Sequence, residues 1–309
     1  MKWAVSDREE ALAKEVTQAN VIVAEYAPIT RKVINSAPLR MIIAYGVGYN
    51  HIDVDAASEK GVFVTNFRGS NSEAVAELTV CMMLALLRNL RECDQHIRNK
   101  RWKNVESGKL PDWMIGTELY GKTLGIVGIG EIGKRVARIC GKGFSMRILA
   151  TDPFVTREQA QEIGAELIDL ESLLRSSDIV TVHVPLSAET RCLIGAKEIG
   201  LMKKSACLIN TSRGFVADEA ALIQALKERK IAAAGLDVFQ KEPISTDNPL
   251  LGLDNTVLSP HIAGSTRESF EAYERILLEE VTRVARGELP KNLVNRSQLA
   301  ARGHLRPDN

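Results

Sequence analysis

Short runs of β-branched and aliphatic residues alternate along this chain with longer stretches whose apolar positions recur every three or four residues. That alternation predicts strands joined by crossover helices, the pattern of a parallel α/β sheet. Residues 21–23, 41–44 and 62–64 form a first group of predicted strands. A second group falls at 122–127, 147–151, 179–182, 207–210, 232–236 and 256–258, with helices between them. Ser70 and Glu73 stand at the Ser-x-x-Glu spacing of a capping box and predict a long helix from there to about Arg98. Its apolar run, Leu78 to Leu87, covers nearly the whole circumference and implies burial on more than one side. Residues 99–120 are less regular, and a further helical pattern runs from Ser269 to Arg286 and stops at Gly287. The polar tail from Ser297 is expected to fray.

Composition narrows the class without deciding it. The 309 residues are enough for two ordinary domains, and 45% hydrophobic with 26% charged residues is the balance of a globular chain. A net charge of +1 gives no electrostatic reason to expect a nucleic acid or an anionic membrane as partner. The apolar run is too short for a membrane span, which needs about 20 residues, and no secretory pattern follows Met1. Five cysteines without a Cys-x-x-Cys pair fit neither a disulfide framework nor a zinc site, so no metal is expected. Reduced thiols in a cytoplasmic enzyme are the expectation.

The cleanest unit is a strand at 122–127, the turn Gly128-Ile129-Gly130-Glu131-Ile132-Gly133 and the helix beyond it. Many glycine turns match G-x-G-x-x-G. Here a strand precedes it, a helix follows, and Asp152 ends the next strand about 20 residues on, as a dinucleotide fingerprint requires. Gly128 lets the chain turn sharply, Gly130 lets the backbone approach a pyrophosphate, and Gly133 lets helix and strand come close. The N–H groups of the helix start, Glu131 and Ile132 among them, would face the phosphates. Asp152 would accept both adenosine ribose hydroxyls and repel a 2′-phosphate. Pro153-Phe154 bring no cation, so NAD is expected over NADP. The same fold also holds S-adenosylmethionine, so the dinucleotide reading leans on residues further along.

Three later segments each follow a predicted strand and so lie at the carboxyl edge of one parallel sheet, where open α/β sheets bind ligands. They are Ile209-Asn210-Thr211-Ser212-Arg213-Gly214, Gly235-Leu236-Asp237-Val238-Phe239 running on to Glu242-Pro243, and Ser259-Pro260-His261-Ile262-Ala263-Gly264. Reducing a 2-keto acid adds a hydride to carbon and a proton to the carbonyl oxygen. Histidine suits that proton transfer near neutral pH. A carboxylate beside the imidazole orients it and favours its protonated form. An arginine fork matches the two oxygens of a substrate carboxylate. Singly, Arg213, Glu242 and His261 also suit a surface ion pair, a turn cap and a satisfied buried histidine. Together in these segments they point to chemistry.

These segments resemble the D-isomer-specific 2-hydroxyacid dehydrogenases, which include phosphoglycerate, glycerate/hydroxypyruvate and D-lactate dehydrogenases, and the likeness runs from about Val21 to Asn295. The resemblance implies a Rossmann-type doubly wound parallel sheet for NAD at residues 97–287. It implies a second, smaller flavodoxin-like α/β substrate domain from 1–96 and 288–309. Relatives carry another strand and helix before the segment equivalent to Lys2-Trp3-Ala4-Val5, so that domain is expected to be N-terminally shortened or the true start to lie upstream of Met1. Arg213 is then the substrate-orienting arginine, His261 the acid/base and Glu242 its paired carboxylate. Asp237 meets the nicotinamide carboxamide. His183-Val184-Pro185 and Thr211-Ser212 line the cofactor, with His261 and Gly264 beside it.

The resemblance extends to the first domain. Tyr45-Gly46-Val47-Gly48-Tyr49-Asn50-His51-Ile52-Asp53 is similar to the family's glycine-rich substrate loop, whose N–H groups at Val47 and Gly48 receive the substrate carboxylate. A plain strand-to-helix turn is the other reading of that stretch. Phe67-Arg68-Gly69-Ser70-Asn71 and Val75-Ala76-Glu77 resemble the lead into a helix that pairs subunits in relatives, which implies a homodimer. Substrate is expected in a cleft between the domains, whose closure excludes water.

Phosphoglycerate dehydrogenases resembling this chain place an arginine after the strand equivalent to 21–23, where it meets the substrate phosphate. Glu25-Tyr26 stand there instead, and a carboxylate repels a phosphate dianion. A small uncharged acid of the glyoxylate or hydroxypyruvate type is therefore expected as the substrate, with a 3-phosphoglycerate dehydrogenase-like activity as the alternative. Formate dehydrogenases carry glutamine where this chain has Glu242, which argues against that activity. From another class, an NAD-sensing interaction protein like the family's transcriptional corepressor branch keeps the same Arg213, Glu242 and His261 set.

Overall fold

In the computed structural model, which describes residue 4, residues 6–102 and residues 110–305, ten strands form two wholly parallel sheets. Each sheet belongs to its own unit: Met1–Asn71 with Thr266–Asn309, and Ser72–Ser265. The first unit opens with α1 (Glu9–Glu15), β1 (Val21–Ala24), α2 (Arg31–Asn35), β2 (Met41–Ala44), α3 (Val54–Glu59) and β3 (Phe63–Thr65), the strands lying in the order β1-β2-β3. Side chains alternate across a strand, so each sheet face gathers every second residue. Ile22, Ala24, Ile42, Ala44 and Val64 pack with Leu12, Val33, Ile34, Ala56 and Ala57 of the three helices.

The second unit runs through α4 (Ser72–Leu87), α5 (Leu90–Arg98), β4 (Thr123–Val127), α6 (Glu131–Phe144), β5 (Arg147–Thr151), α7 (Arg157–Glu162) and β6 (Ala165–Leu167). It continues through α8 (Leu170–Ser176), β7 (Ile179–Val182), α9 (Ala196–Leu201), β8 (Cys207–Asn210), α10 (Glu219–Lys227), β9 (Ala233–Leu236) and β10 (Thr256–Leu258). Its strand order, β10-β9-β8-β7-β4-β5-β6, is doubly wound, with the direction of winding reversing between β4 and β7. One apolar layer joins α4, α6 and α7 to the sheet through Met82, Met83, Leu124, Ile126, Val136, Ile148, Ala160 and Ile209. The opposite layer joins α8, α9 and α10 through Leu173, Leu174, Val180, Ile199, Leu208, Leu222 and Leu226. Among the described residues no helix is long and apolar enough to cross a membrane.

The chain then returns to the first unit. α11 (Arg267–Ala285) covers the second face of the small sheet, with Tyr273 and Val284 packed on Met41, Ile43 and Phe67. Asn295 is wholly buried: its Oδ1 accepts the Val64 N–H (2.9 Å), and its Nδ2 donates to Ser58 Oγ (2.9 Å) and Val62 O (3.0 Å).

Several local features differ from the sequence expectations. The helix expected to end near Arg98 is broken at Asn89, whose φ of +49° stops α4 and lets α5 start afresh. Ser70 does not cap it: the hydroxyl donates to Phe67 O and Glu73 pairs with Arg135 instead. β6 has three residues and no β-branched side chain, so no strand pattern marked it. The tail is ordered beyond Ser297 because α12 (Arg296–Ala301) buries Leu299 completely. Of the segment 2–5 only Ala4 lies within the described residues, and residues 306–309 of the tail lie outside them. The units also divide at 71/72 and 265/266, not at 96/97 and 287/288. The reason is packing: α4 serves the larger sheet, and α11 the smaller.

Candidate active site

The register of the larger sheet sets Val127, Thr151, Val182, Asn210, Leu236 and Leu258 in one row. Val127 lies opposite Thr151 and Val182, Val182 opposite Asn210, and Leu236 opposite Asn210 and Leu258. Their successors Gly128, Asp152, His183, Thr211, Asp237 and Ser259 therefore leave the sheet side by side at its carboxyl edge. All but Ser259 were expected to contribute there. The reversal between β4 and β7 opens a crevice at this edge, the usual ligand position of such sheets.

Gly128 has a φ of +91°, and a Cβ there would come 2.8 Å from Val184 Cγ1 and 3.0 Å from His183 O. Both the conformation and the lack of space demand glycine. Gly130 is the N-cap of α6, and a Cβ on it would meet nothing within 4 Å, so the helix start faces open space. The N–H groups of the first turn, Ile132 and Gly133 included, carry partial positive charge toward it. Glu131 is turned to Arg135, 2.9 Å from its Nη1. Asp152 accepts the Ile129 N–H on Oδ2 and the Phe154 N–H on Oδ1, both at 2.9 Å, and each oxygen retains a lone pair for a hydroxyl.

His183 Nε2 lies 3.0 Å from Thr181 Oγ1, while Nδ1 is buried without a partner among the described residues. Burial pushes this imidazole down to about 3, so it is neutral at physiological pH. Pro185 O accepts Thr190 Oγ1 at 2.6 Å, which fixes the following turn. An open helix start, a carboxylate with spare lone pairs and an orphaned ring nitrogen along one edge fit the phosphates, hydroxyls and amide of a dinucleotide.

The neighbouring loops hold the expected reaction residues. Asn210 is 2% exposed at the end of an otherwise apolar strand. Its Oδ1 accepts the Ser212 N–H (3.0 Å) and hydroxyl (2.8 Å), and its Nδ2 donates to Arg213 O (3.0 Å). These bonds set the turn from Thr211 to Arg213. Thr211 Oγ1 also lies 3.0 Å from Thr79 Oγ1 of α4.

Asp237 is wholly buried beneath the loop that carries His261. Its Oδ1 accepts the Ser259 hydroxyl (2.5 Å) and the Ile262 N–H (2.9 Å), and its Oδ2 accepts the Ala263 N–H (2.8 Å), next to the half-buried Gly264. The His261 N–H donates to Asp237 O at 2.8 Å. His261 has a φ of +54°, a left-handed conformation costing roughly 1–2 kcal/mol outside glycine, which this hydrogen-bonded loop sustains. The expectation for Asp237 was a contact with the nicotinamide amide. The structure adds a bracing role that strand position alone did not reveal.

His261 Nδ1 stands 2.6 Å from Glu242 Oε2, and Glu242 Oε1 accepts the Phe239 N–H at 2.9 Å. The two side chains are 30% and 32% exposed, so reactants have access to the pair. Burial raises the Glu242 carboxyl, but the bonds from His261 and Phe239, with the charges of His261 and Arg213, outweigh it and hold it below the ordinary carboxylate value. Arg213 donates from Nη1 to Ser212 O at 2.7 Å. Three residues far apart in sequence thus share one electrostatic neighbourhood. Sequence reasoning passed over Asn210 and Ser259 as supports. A polar residue closing the apolar strand Cys207–Asn210 was the available signal for the first.

In the smaller unit, Glu25-Tyr26, Tyr45 to Tyr49 and Asn66 to Arg68 follow β1, β2 and β3. Asn66 Nδ2 donates to Val47 O at 2.7 Å, and the Phe67 N–H donates to Gly46 O at 2.8 Å. The N–H groups of Val47 and Gly48 have no partner among the described residues. Burial, then the charges of Glu25 and Glu274, push the Tyr45 hydroxyl up.

The family profile "D-isomer specific 2-hydroxyacid dehydrogenase, NAD binding domain" matches residues 80–263. A glyoxylate reductase of Aeropyrum pernix is 43% identical over 95% of this chain and 88% of its own length. A D-3-phosphoglycerate dehydrogenase of Methanocaldococcus jannaschii is 42% identical over 97% of this chain and 56% of its own length. The structure of D-lactate dehydrogenase from Aquifex aeolicus complexed with NAD and lactic acid has a TM-score of 0.82 at 32% identity, covering 91% of this chain and 88% of that one. The chain belongs to the D-isomer specific 2-hydroxyacid dehydrogenase family. It is an NAD-dependent oxidoreductase, as the strand-and-loop motifs anticipated.

Proposed function

We propose that this enzyme interconverts a small 2-keto acid with no charge beyond its carboxylate, of the glyoxylate or hydroxypyruvate type, and its D-2-hydroxy acid. The observation that carries the reading is the 2.6 Å bond between His261 Nδ1 and Glu242 Oε2, on a carboxylate that also feels Arg213. The crevice would hold NADH, which when bound would supply the hydride. Arg213 clamps the substrate carboxylate and polarises the carbonyl. Glu242 holds the His261 ring by Nδ1, which makes Nε2 the nitrogen that hands a proton to the carbonyl oxygen. Val47 and Gly48 offer N–H groups to a carboxylate.

For the cofactor, Gly128, Gly130, Glu131, Ile132 and Gly133 form the pyrophosphate cradle with their backbone, and Asp152 takes the ribose hydroxyls. His183, Pro185, Thr211, Ser212, His261 and Gly264 wall the nicotinamide half. Asp237, assigned to the carboxamide side of the nicotinamide, braces that wall from beneath the His261 loop.

The choice of an acid without a phosphate is supported by the glyoxylate reductase relatives and by Glu25, which opposes a phosphate. The relatives named phosphoglycerate dehydrogenase keep 3-phosphohydroxypyruvate as the second reading. NADH oxidation followed with glyoxylate, hydroxypyruvate, pyruvate and 3-phosphohydroxypyruvate tests both. Fastest turnover of the phosphorylated acid would reverse their order. NADH binding without turnover of any 2-keto acid would remove the site reading altogether and favour an NAD-sensing role.

We further propose a homodimer working in the cytoplasm. All five cysteines are free, which suits a reducing compartment. A single-chain mass at sedimentation equilibrium would refute the dimer.

A further inference from the structure

The loop that carries Glu242 is gripped by a residue that no motif singled out. Glu219, the first residue of α10, accepts the Gln240 N–H on Oε2 at 3.0 Å and Asn248 Nδ2 on Oε1 at 2.9 Å. Those anchors stand on either side of Glu242, so one carboxylate closes the loop between them. Gln240 returns a second bond from Nε2 to Ala217 O at 2.9 Å, and Asn248 Oδ1 accepts the Leu250 N–H at 3.0 Å. From the opposite side, Gly214 lies against the backbone of Phe239, where an added Cβ would overlap the carbonyl and come 2.5 Å from Gln240 N. The segments bearing Arg213 and Glu242 therefore touch at Gly214, and Glu219 fastens them a few residues on. Between the anchors the loop has no strand or helix, and Lys241, Glu242 and Pro243 are exposed.

We infer that Glu219 is a positioning residue, which sets Glu242 at bonding distance from His261 by holding both ends of its loop. The inference rests on the proposed roles of Glu242 and His261. A short, well-aligned bond needs a fixed carboxylate, and displacement of about 1 Å at a catalytic group is enough to lower rates up to about 100-fold. Glu219 itself acts only through the backbone of Gln240 and the side chain of Asn248.

The test compares Glu219→Ala, Glu242→Gln and the swapped pair Glu219→Gln/Asn248→Asp in NADH-dependent keto-acid reduction across pH. In Glu219→Ala we expect kcat to fall about tenfold, with the NADH dissociation constant within about twofold of wild type. The pH profile of kcat/KM should move in the same direction as that of Glu242→Gln, and by less. In the swapped pair the new amide can still accept from Gln240 and now donates to the new carboxylate, which keeps the Leu250 cap. It should recover kcat to within about threefold of wild type, while each single exchange stays lower.

If Glu242→Gln alone leaves turnover and profile unchanged, the site reading fails and takes this inference with it. If Glu242→Gln changes both while folded Glu219→Ala overlays wild type, only the inference is overturned. Should Glu219→Ala fail to fold, Asn248→Ala removes one anchor and decides the matter by the same profile.

Discussion

The two carboxyl edges of the molecule are held in different ways. At the larger sheet, buried polar side chains tie down the loops. Asn210 makes three hydrogen bonds to Ser212 and Arg213, Asp237 receives three donors from the His261 loop, and Thr181 meets His183. At the smaller sheet Asn66 bonds Val47 O and His51 bonds Ala24 O, and Tyr26 and Tyr49 are 67% and 40% exposed. The difference matches the tasks proposed for the two edges. Proton and hydride transfer need fixed distances and angles, whereas a surface that receives the body of a substrate needs fit. Bracing by buried polar groups is costly to disturb, because each orphaned partner loses its solvation as well as its bond.

Four substitutions break or sharpen that contrast. His261→Ala should lower kcat by about 100-fold or more and leave NADH affinity, read by fluorescence titration, within about twofold. Unchanged turnover would take His261 out of the chemistry. Asp237→Asn turns an amide N–H toward backbone N–H groups and should cost about 2–3 kcal/mol in urea unfolding. The same exchange at the exposed Asp247 should stay within about 0.5 kcal/mol, and equal costs at the two sites would contradict the bracing.

Third comes pH. His183 is neutral when folded down to about 3, whereas an unfolded histidine takes a proton below about 6.5. Between those values the unfolded chain binds more protons, so stability is full above about 6.5 and declines as pH falls. The slope from this group is at most about 1.4 kcal/mol per pH unit. His183→Asn should flatten it in melts between pH 7 and 5, and an unchanged slope would mean other groups cause it. The smallest effect is expected at the smaller sheet's edge. Asn66→Ala should raise KM for the keto acid about fivefold, with kcat within about twofold, in line with one lost hydrogen bond. A matching fall in kcat would show that the smaller unit's loop is as tightly bound to the chemistry as the larger one's.

Much of this was legible in the chain because the parallel strands are short apolar runs with clear punctuation. Five of the nine expected strands, such as 147–151 and 207–210, coincide with the observed ones. The motif residues likewise fell where they were expected, since each follows a strand. Register was not legible. It depends on which strands pair across long stretches of sequence, so the single row from Val127 to Leu258 appears only in three dimensions. The break at Asn89 was hidden because a left-handed asparagine looks no different in sequence from a helical one. Leu299 gave no sign of burial, since its helix packs on Val54–Glu59, far away in sequence. Asp237, Asn210 and Glu219 support the site through backbone groups and small polar side chains, and such bonds leave no mark on spacing.

Asn295 has a consequence for how the protein is made. The small sheet's strands are translated first, yet the side chain that satisfies Val64, Val62 and Ser58, and the helix Arg267–Ala285 that covers one sheet face, come last. The 194 residues from Ser72 to Ser265 separate the two parts. At about 5–20 residues per second, the strands wait roughly 10–40 s on the ribosome for the segment that completes their core. The larger unit, contiguous in the chain, has all its strands in hand before that segment emerges. The ends of this chain therefore mature last, and the early strands spend that interval with an apolar face uncovered.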